Sequence, residues 1–421
     1  MTLENLYQNS KAISTGDQLT QLKFGTVYFN HRNEKGYFGP AATRELGANC
    51  MQIDFAEVSM WYQVEKGKGT YDWTIVDKAY DTCEREGIEP IPSLCHHFAP
   101  PDWVSNGPFN DTVIEAPEYG SRLGLQFQKL TTLQKSFADF VTAFVKRYGD
   151  RTNLYMLSHE WNLAWMFCSK KDSPEYQKLL SNQVVCTLLA YRIVREHNPT
   201  AKFTYGLFTN YRRDRLDGIP ITSLYNTVEE FPFGPSFMIR KYLETGNRDF
   251  LELMKTIYVF YTCYTNNLDG ITPIFIDDKA GEAAEALFKG NVNVDGKDYP
   301  YKDFVKEIIV NPITISGKWC FNTEKSYTEK EQAASLVGSL KSIVAANCKG
   351  VPISTILACL VDKNEYSSRY AFDPWLMVPE GLYKMKADID PLKRGPTTWD
   401  ITYVPKEAAS EYKRFISRQR G

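Results

Sequence analysis

Short apolar runs alternate along the chain with longer stretches whose apolar residues recur every three or four positions. The runs fall at 22–29, 50–55, 88–95, 154–158, 202–207, 256–263, 312–316 and 351–360. Their length and apolar density predict buried strands. Stretches 41–47, 73–87, 133–148, 184–196 and 329–346 predict helices; in 73–87, Ile75, Val76 and Ala79 fall on one face. Strand runs alternating with helical patterns imply parallel βαβ units. Eight of them predict an α/β fold, a single (β/α)8 TIM barrel with long loops at its C-terminal face. A doubly wound open sheet is the alternative, but no GxGxxG follows the first run.

The connections 100–129, 209–248 and 266–310 are long and rich in Gly, Pro, Asn and aromatic residues. Each follows the C-terminal end of a predicted strand, the face where barrels build active sites. No internal repeat, low-complexity tract or Pro/Gly/Ser linker divides the chain. Residues 1–421 are therefore expected to form one domain, with a barrel core over 22–372 and a C-terminal extension over 373–421.

Composition narrows the function classes. With 421 residues, 43% of them hydrophobic, the chain can bury a large core. Lys+Arg is 49 and Asp+Glu is 51, a net charge of −2, so no basic excess exists to neutralise a phosphate backbone and no nucleic-acid partner is expected. No stretch of about 18 apolar residues predicts a membrane span. Residues 1–18 lack a basic segment followed by an apolar one, which leaves a cytoplasmic location as the expectation. The nine cysteines form no CxxC pair; Cys50, Cys95, Cys186 and Cys359 sit in apolar or helical contexts that suit buried, reduced thiols. The five histidines show no metal spacing, so no structural zinc is expected, and no cofactor is assigned. Aromatic residues, at 14%, can serve as core rings or as platforms for sugars.

Five blocks carry candidate chemistry. The first holds Trp61, Glu65, Gly69, Tyr71, Asp72, Trp73 and Asp77; on its own it reads as a loop entering a helix, with Asp72 near the cap. The second, His96-His97-Phe98-Ala99-Pro100-Pro101-Asp102-Trp103, closes the third strand run. The third is a helix ending Arg147-Tyr148-Gly149, then a strand, then His159-Glu160-Trp161-Asn162. The fourth contains Asp362, Glu365 and Tyr366 after the eighth run, and Asp362 alone could cap a following helix. The fifth is Asn311-Pro312-Ile313-Thr314-Ile315-Ser316-Gly317-Lys318-Trp319.

Together these blocks resemble the retaining glycoside hydrolases of clan A, a (β/α)8 barrel superfamily. The likeness is scattered from residue 22 to residue 372 and is most specific in the third and fourth blocks. It implies hydrolysis of O-glycosidic bonds with Glu160 as general acid/base. It also implies that His97, His159, Asn162, Trp319, Asp362 and Glu365 line a sugar subsite, with His159 standing where the family has Asn. Trp61, Trp103, Trp161 and Trp319 fall near strand ends, where a ring can stack on a sugar. Registered on Pro312, the family's nucleophilic Glu becomes Gly317.

Retaining hydrolysis needs two carboxyls about 5–5.5 Å apart, and glycine cannot attack C1. The resemblance therefore implies an enzyme on oligosaccharides or glycosides with impaired hydrolysis, its nucleophile changed from Glu to Gly. One alternative is a natural relative using Asp54, Glu57 or Glu324. Another is a barrel that binds carbohydrate without cleaving it. Unrelated barrel chemistry would run through Lys318.

Overall fold

The computed structural model describes residues 22–29, 38–54, 61–94, 100–119, 129–158, 173–212, 235–267, 270–274, 279–314, 316–318, 326–360, 362–364, 377–378, 381–388 and 400–420. Eight strands form one ring: β1 (Lys23–Phe29), β2 (Cys50–Asp54), β3 (Glu89–Pro92), β4 (Leu154–Ser158), β5 (Lys202–Arg212), β6 (Thr256–Asn267), β7 (Glu307–Pro312) and β8 (Ile353–Cys359). Their ladders run β3-β2-β1-β8-β7-β6-β5-β4, all parallel. A bridge between Ser93 and Met156, with Leu94 N donating to Met156 O at 2.7 Å, brings the end of β3 beside β4 and closes the circle. Among the described residues, the helices of eight or more residues are α1 (Phe38–Glu45), α2 (Thr74–Glu86), α3 (Thr132–Tyr148), α4 (Pro174–His197), α5 (Pro235–Thr245), α6 (Ala280–Lys289), α7 (Glu329–Cys348) and α8 (Glu407–Arg420). The fold is a (β/α)8 barrel.

Strand alternation sorts the core into two layers. Val27, Met156, Tyr258, Ile309 and Leu357 fill the lumen, while Phe24, Ile308, Val310 and Ile356 pack outward beneath the helices. Gly25 lies where strands crowd: a Cβ there would sit 2.4 Å from Cys50 Sγ and 2.6 Å from Leu357 Cδ2. Gly281 lets α6 approach α7, since a Cβ would sit 1.9 Å from Ser342 O. At the N-terminal rim, ion pairs join alternate strands, Lys23 to Glu89 and Lys202 to Glu307.

Two expectations change. The seventh strand is Glu307–Pro312, not 312–316. The run Ile308-Ile309-Val310 is buried on both faces, as a parallel strand requires, and Pro312, with no N–H to give a ladder, ends it. Helices also occupy stretches expected as loops or extension: α5, α6 and, beyond residue 373, α8. The last packs directly on the barrel. Tyr412 OH donates to Gly25 O at 2.7 Å, and Phe415 meets Phe24 edge-on with centroids 6.2 Å apart. Among the described residues, Cys50, Cys83, Cys186, Cys348 and Cys359 are free thiols, and burial pushes Cys50 and Cys83 up to about 12. Cys95 lies outside the described residues.

Two motif fragments prove to be one structural tie. Arg147, on α3, donates to Asp77, on α2, through Nε at 2.8 Å and Nη2 at 2.6 Å, and the Tyr148 hydroxyl donates to Asp77 Oδ1 at 2.7 Å. These bonds hold the Asp77 carboxyl below the usual range, Arg147 first among them. Such a group stabilises the fold fully above its ordinary pKa and ceases to as pH falls through its depressed folded value. Asp77→Asn should lose about 1 kcal/mol at pH 7, modest because Asp77 and Arg147 are partly exposed. Urea unfolding should show that deficit shrinking below about pH 4; a deficit constant across that range would count against the tie.

Candidate active site at the C-terminal mouth

Because all eight strands are parallel, their C-terminal ends share one mouth. Of the expected site residues, His97, His159, Glu160, Asn162, Trp319 and Glu365 lie outside the described residues, as does Trp161. The described chain fixes the approaches to them. β4 ends at Ser158, two positions before Glu160; the β3 segment reaches Leu94, and β8 ends at Cys359.

Gly317 lies five residues beyond the end of β7. With Lys318 it forms a two-residue antiparallel ribbon against Ser326 and Tyr327, in which Gly317 is opposite Tyr327. The register that equates Gly317 with a strand-end nucleophile took 312–316 as strand, so the corrected strand separates the two positions. The chain nevertheless has no acidic residue between Glu307 and Glu324. Glu307 belongs to the opposite rim, paired with Lys202. The last residue of β7 in the lumen layer is an amide, Asn311.

Asp362 is 5% exposed. Its Oδ1 accepts from Lys406 Nζ at 2.5 Å and from Gly381 N at 3.0 Å, and the Lys406 side chain is itself fully buried. Burial pushes the Asp362 carboxyl up and the Lys406 ammonium down, while the attraction of each to the other works against both shifts. Beside them, Gln332 Nε2 on α7 donates to Thr314 O and Gly381 O, both at 3.2 Å. The Asp362 carboxylate thus braces the wall that joins β8 to α8.

The first block is also scaffold. Glu65 is 2% exposed; it accepts from Trp61 Nε1 and from Gly69 N, and so staples the hairpin of Glu65–Gly67 and Thr70–Tyr71. Burial raises its carboxyl above the usual range. Trp61 is fully buried against Phe137 and Phe140 of α3, and Trp103 meets it edge-on at 6.1 Å. Trp61 is therefore a core ring rather than a sugar platform, and Trp103, partly buried, packs against it.

Polar residues escaped the sequence reading in the lumen itself. Gln52 of β2 donates through Nε2 to Met156 Sδ at 3.5 Å, and Asn311 of β7 donates through Nδ2 to Tyr258 OH of β6 at 3.2 Å. The signal was there to see: a lone amide inside an apolar strand run. Among the described residues, no helix is long and apolar enough to cross a membrane.

No protein-family model and no curated protein matches the chain by sequence. Solved structures share its fold. A family 1 β-glucosidase from Thermotoga maritima superposes with a TM-score of 0.57 at 13% identity, covering 95% of this chain and 98% of that one. A β-glucosidase from Thermotoga maritima in complex with deoxynojirimycin gives 0.57 at 12% identity over 90% and 85%. A psychrophilic glycoside hydrolase family 10 endo-β-1,4-xylanase gives 0.52 at 16% identity, over 98% and 99%.

Proposed function

We propose that this barrel is a glycoside hydrolase-type protein whose C-terminal mouth takes a neutral sugar, with Glu160 as its proton-transfer group and with hydrolysis impaired. The observation that carries this reading is the end of β4 at Ser158, which delivers the His159-Glu160-Trp161-Asn162 block to the face where barrels place catalytic groups. Glycosidases of two families share the fold over nearly the whole chain, which supports the same reading.

In this proposal Glu160 protonates the glycosidic oxygen as the bond to C1 breaks, and a neutral sugar needs no electrostatic steering from a chain of net charge −2. His97, His159, Asn162, Trp319 and Glu365 supply hydroxyl contacts and a ring face; Asp362 stays in the wall with Lys406. The stretch between Glu307 and Glu324, free of acids, leaves no carboxylate at the C-terminal end of β7 to attack C1, whichever register aligns Gly317. That same stretch favours a second reading, a barrel that binds sugar without cleaving it.

Titration calorimetry with deoxynojirimycin, glucose and xylose, beside an aryl-glycoside panel, tests the proposal. Saturable binding of at least one probe is expected, with aryl-glycoside turnover at or near the uncatalysed rate. Absence of binding by every probe would sink the sugar reading.

A further inference from the structure

The lumen beneath the mouth contains a buried amide, Asn311, with one end satisfied and the other without a partner among the described residues. Asn311 is 0% exposed and stands on β7 between Tyr258 of β6 and Cys359 of β8. Its Nδ2 donates to Tyr258 OH at 3.2 Å and lies 4.0 Å from Cys359 Sγ, whereas Oδ1 has no hydrogen-bond partner among the described residues. Reversing the amide would only exchange the orphan, bringing oxygen to Tyr258 and turning the NH2 to the side without a partner. A buried amide end left unsatisfied is destabilising, and an apolar residue of the same shape is free of that penalty.

The neighbours show that an apolar residue would suit the site. Two residues earlier on the same strand face, Ile309 packs with Val27, Met156 and Leu357, and Ile313 packs against the same cluster two residues later. Asn311 is thus the polar step in an inward row of isoleucines, next to the end of its strand. Ligand sites in barrels gather a few convergent polar groups on apolar walls, and a sugar hydroxyl, both donor and acceptor, can meet either end of an amide.

We propose that Asn311 is the deepest ligand-binding residue of the C-terminal mouth, holding one hydroxyl of the bound sugar at its floor. The assignment rests on the sugar reading above. Tyr258 acts as a positioning residue: by accepting from Nδ2 it sets which end of the amide the ligand meets.

Asn311→Leu keeps the side-chain branching and removes both polar ends. Calorimetry with deoxynojirimycin, glucose and xylose should show affinity for the bound probe reduced about tenfold, the worth of one buried neutral hydrogen bond. Thermal unfolding of the same variant should show a melting temperature equal to the parent's or higher by about one degree. Asn311→Ser, smaller and therefore safe for packing, should lose affinity in the same direction. Unchanged affinity in both variants overturns the assignment. So does a fall in melting temperature in Asn311→Leu, which would make the amide a structural residue. If the parent chain binds none of the three sugars, the sugar reading fails by itself. The melting temperature then decides for Asn311: a rise keeps it as a residue held for ligand binding at the expense of stability, and a fall removes it.

Discussion

Lys406→Met should destabilise the barrel by about 3–5 kcal/mol at pH 7, the usual result of stripping one partner from a buried ion pair. Lys406 is fully buried and Asp362 nearly so, and the pair ties the segment after β8 to the start of α8. Without the ammonium, the Asp362 carboxylate keeps the Gly381 N–H as its hydrogen-bond donor among the described residues. Nearby, Lys384 and Glu329 form a pair of their own that bears on both groups. Burial, the largest influence on Asp362, then acts with little opposition and holds its folded pKa above the unfolded value. A carboxyl shifted upward favours the fold fully below the unfolded pKa, and that advantage disappears as pH rises through the folded value. The variant should therefore come closest to the parent near pH 4 and fall furthest behind at pH 7.

Urea unfolding at the two pH values measures this difference. The double variant Asp362→Asn/Lys406→Met removes the charge yet keeps an acceptor for Gly381, so it should recover most of the loss. A deficit independent of pH, or a double variant worse than the single one, would show that packing of the lysine stem matters more than its charge.

The pair also shows where sequence reasoning reaches its limit. Asp362 and Glu365 stand three apart after a strand run, a spacing that suits sugar contacts, and only the fold shows that one of them faces a lysine 44 residues further on. Asp77 and Arg147-Tyr148 belong to two separate motif blocks, and the fold joins them into one tie between α2 and α3. Glu65 and Trp61 read as candidates for chemistry and serve to staple a hairpin. In each case the local pattern of residue types marks a position worth attention. It is silent about orientation, because that is set by partners distant in sequence.

The barrel was legible for a different reason. Each β-strand buries both faces and each helix buries one, so the periodicity is repeated eight times over and single errors do not change the count. Strand seven is where that redundancy failed locally. Pro312 resembles the start of an apolar run through 316, but a residue without an N–H is better tolerated at a strand's end than within its ladder. The five-residue difference is small for the fold and large for the site, since it moves Gly317 off the strand. Helices α5 and α6 were hidden because Gly, Pro and Asn around them suggest loops; α6 gains its place through close contact, with Gly281 N donating to Ser342 Oγ at 3.0 Å.

The second large effect concerns Glu160. If the proposed barrel has no nucleophilic carboxylate at the C-terminal end of β7, a glycosyl fluoride of inverted anomeric configuration can react by direct displacement. An acceptor-sugar hydroxyl bonds to C1, the C1–F bond breaks with fluoride carrying off the electron pair, and the hydroxyl proton passes to Glu160. On the proposed reading, the parent chain should form disaccharide from such a donor while leaving the product intact, because hydrolysis of the product would need a nucleophile that the reading denies it. Glu160→Gln cannot take the proton and should slow the transfer by about 10²–10⁴, the range of general-base catalysis.

Fluoride release and product chromatography follow both proteins, and calorimetry with the bound sugar checks that the variant still binds. Equal rates with equal affinity would remove Glu160 from the chemistry. Transfer absent from the parent, with sugar still bound, would favour the non-hydrolytic binder. Gly317→Glu then separates the remaining cases. If the ribbon position can present a carboxylate to C1, hydrolysis of aryl glycosides appears in that variant, and adding Glu160→Gln suppresses it most for leaving groups that need a proton. If no hydrolysis appears, the four residues between the end of β7 and Gly317 hold the new carboxylate away from C1.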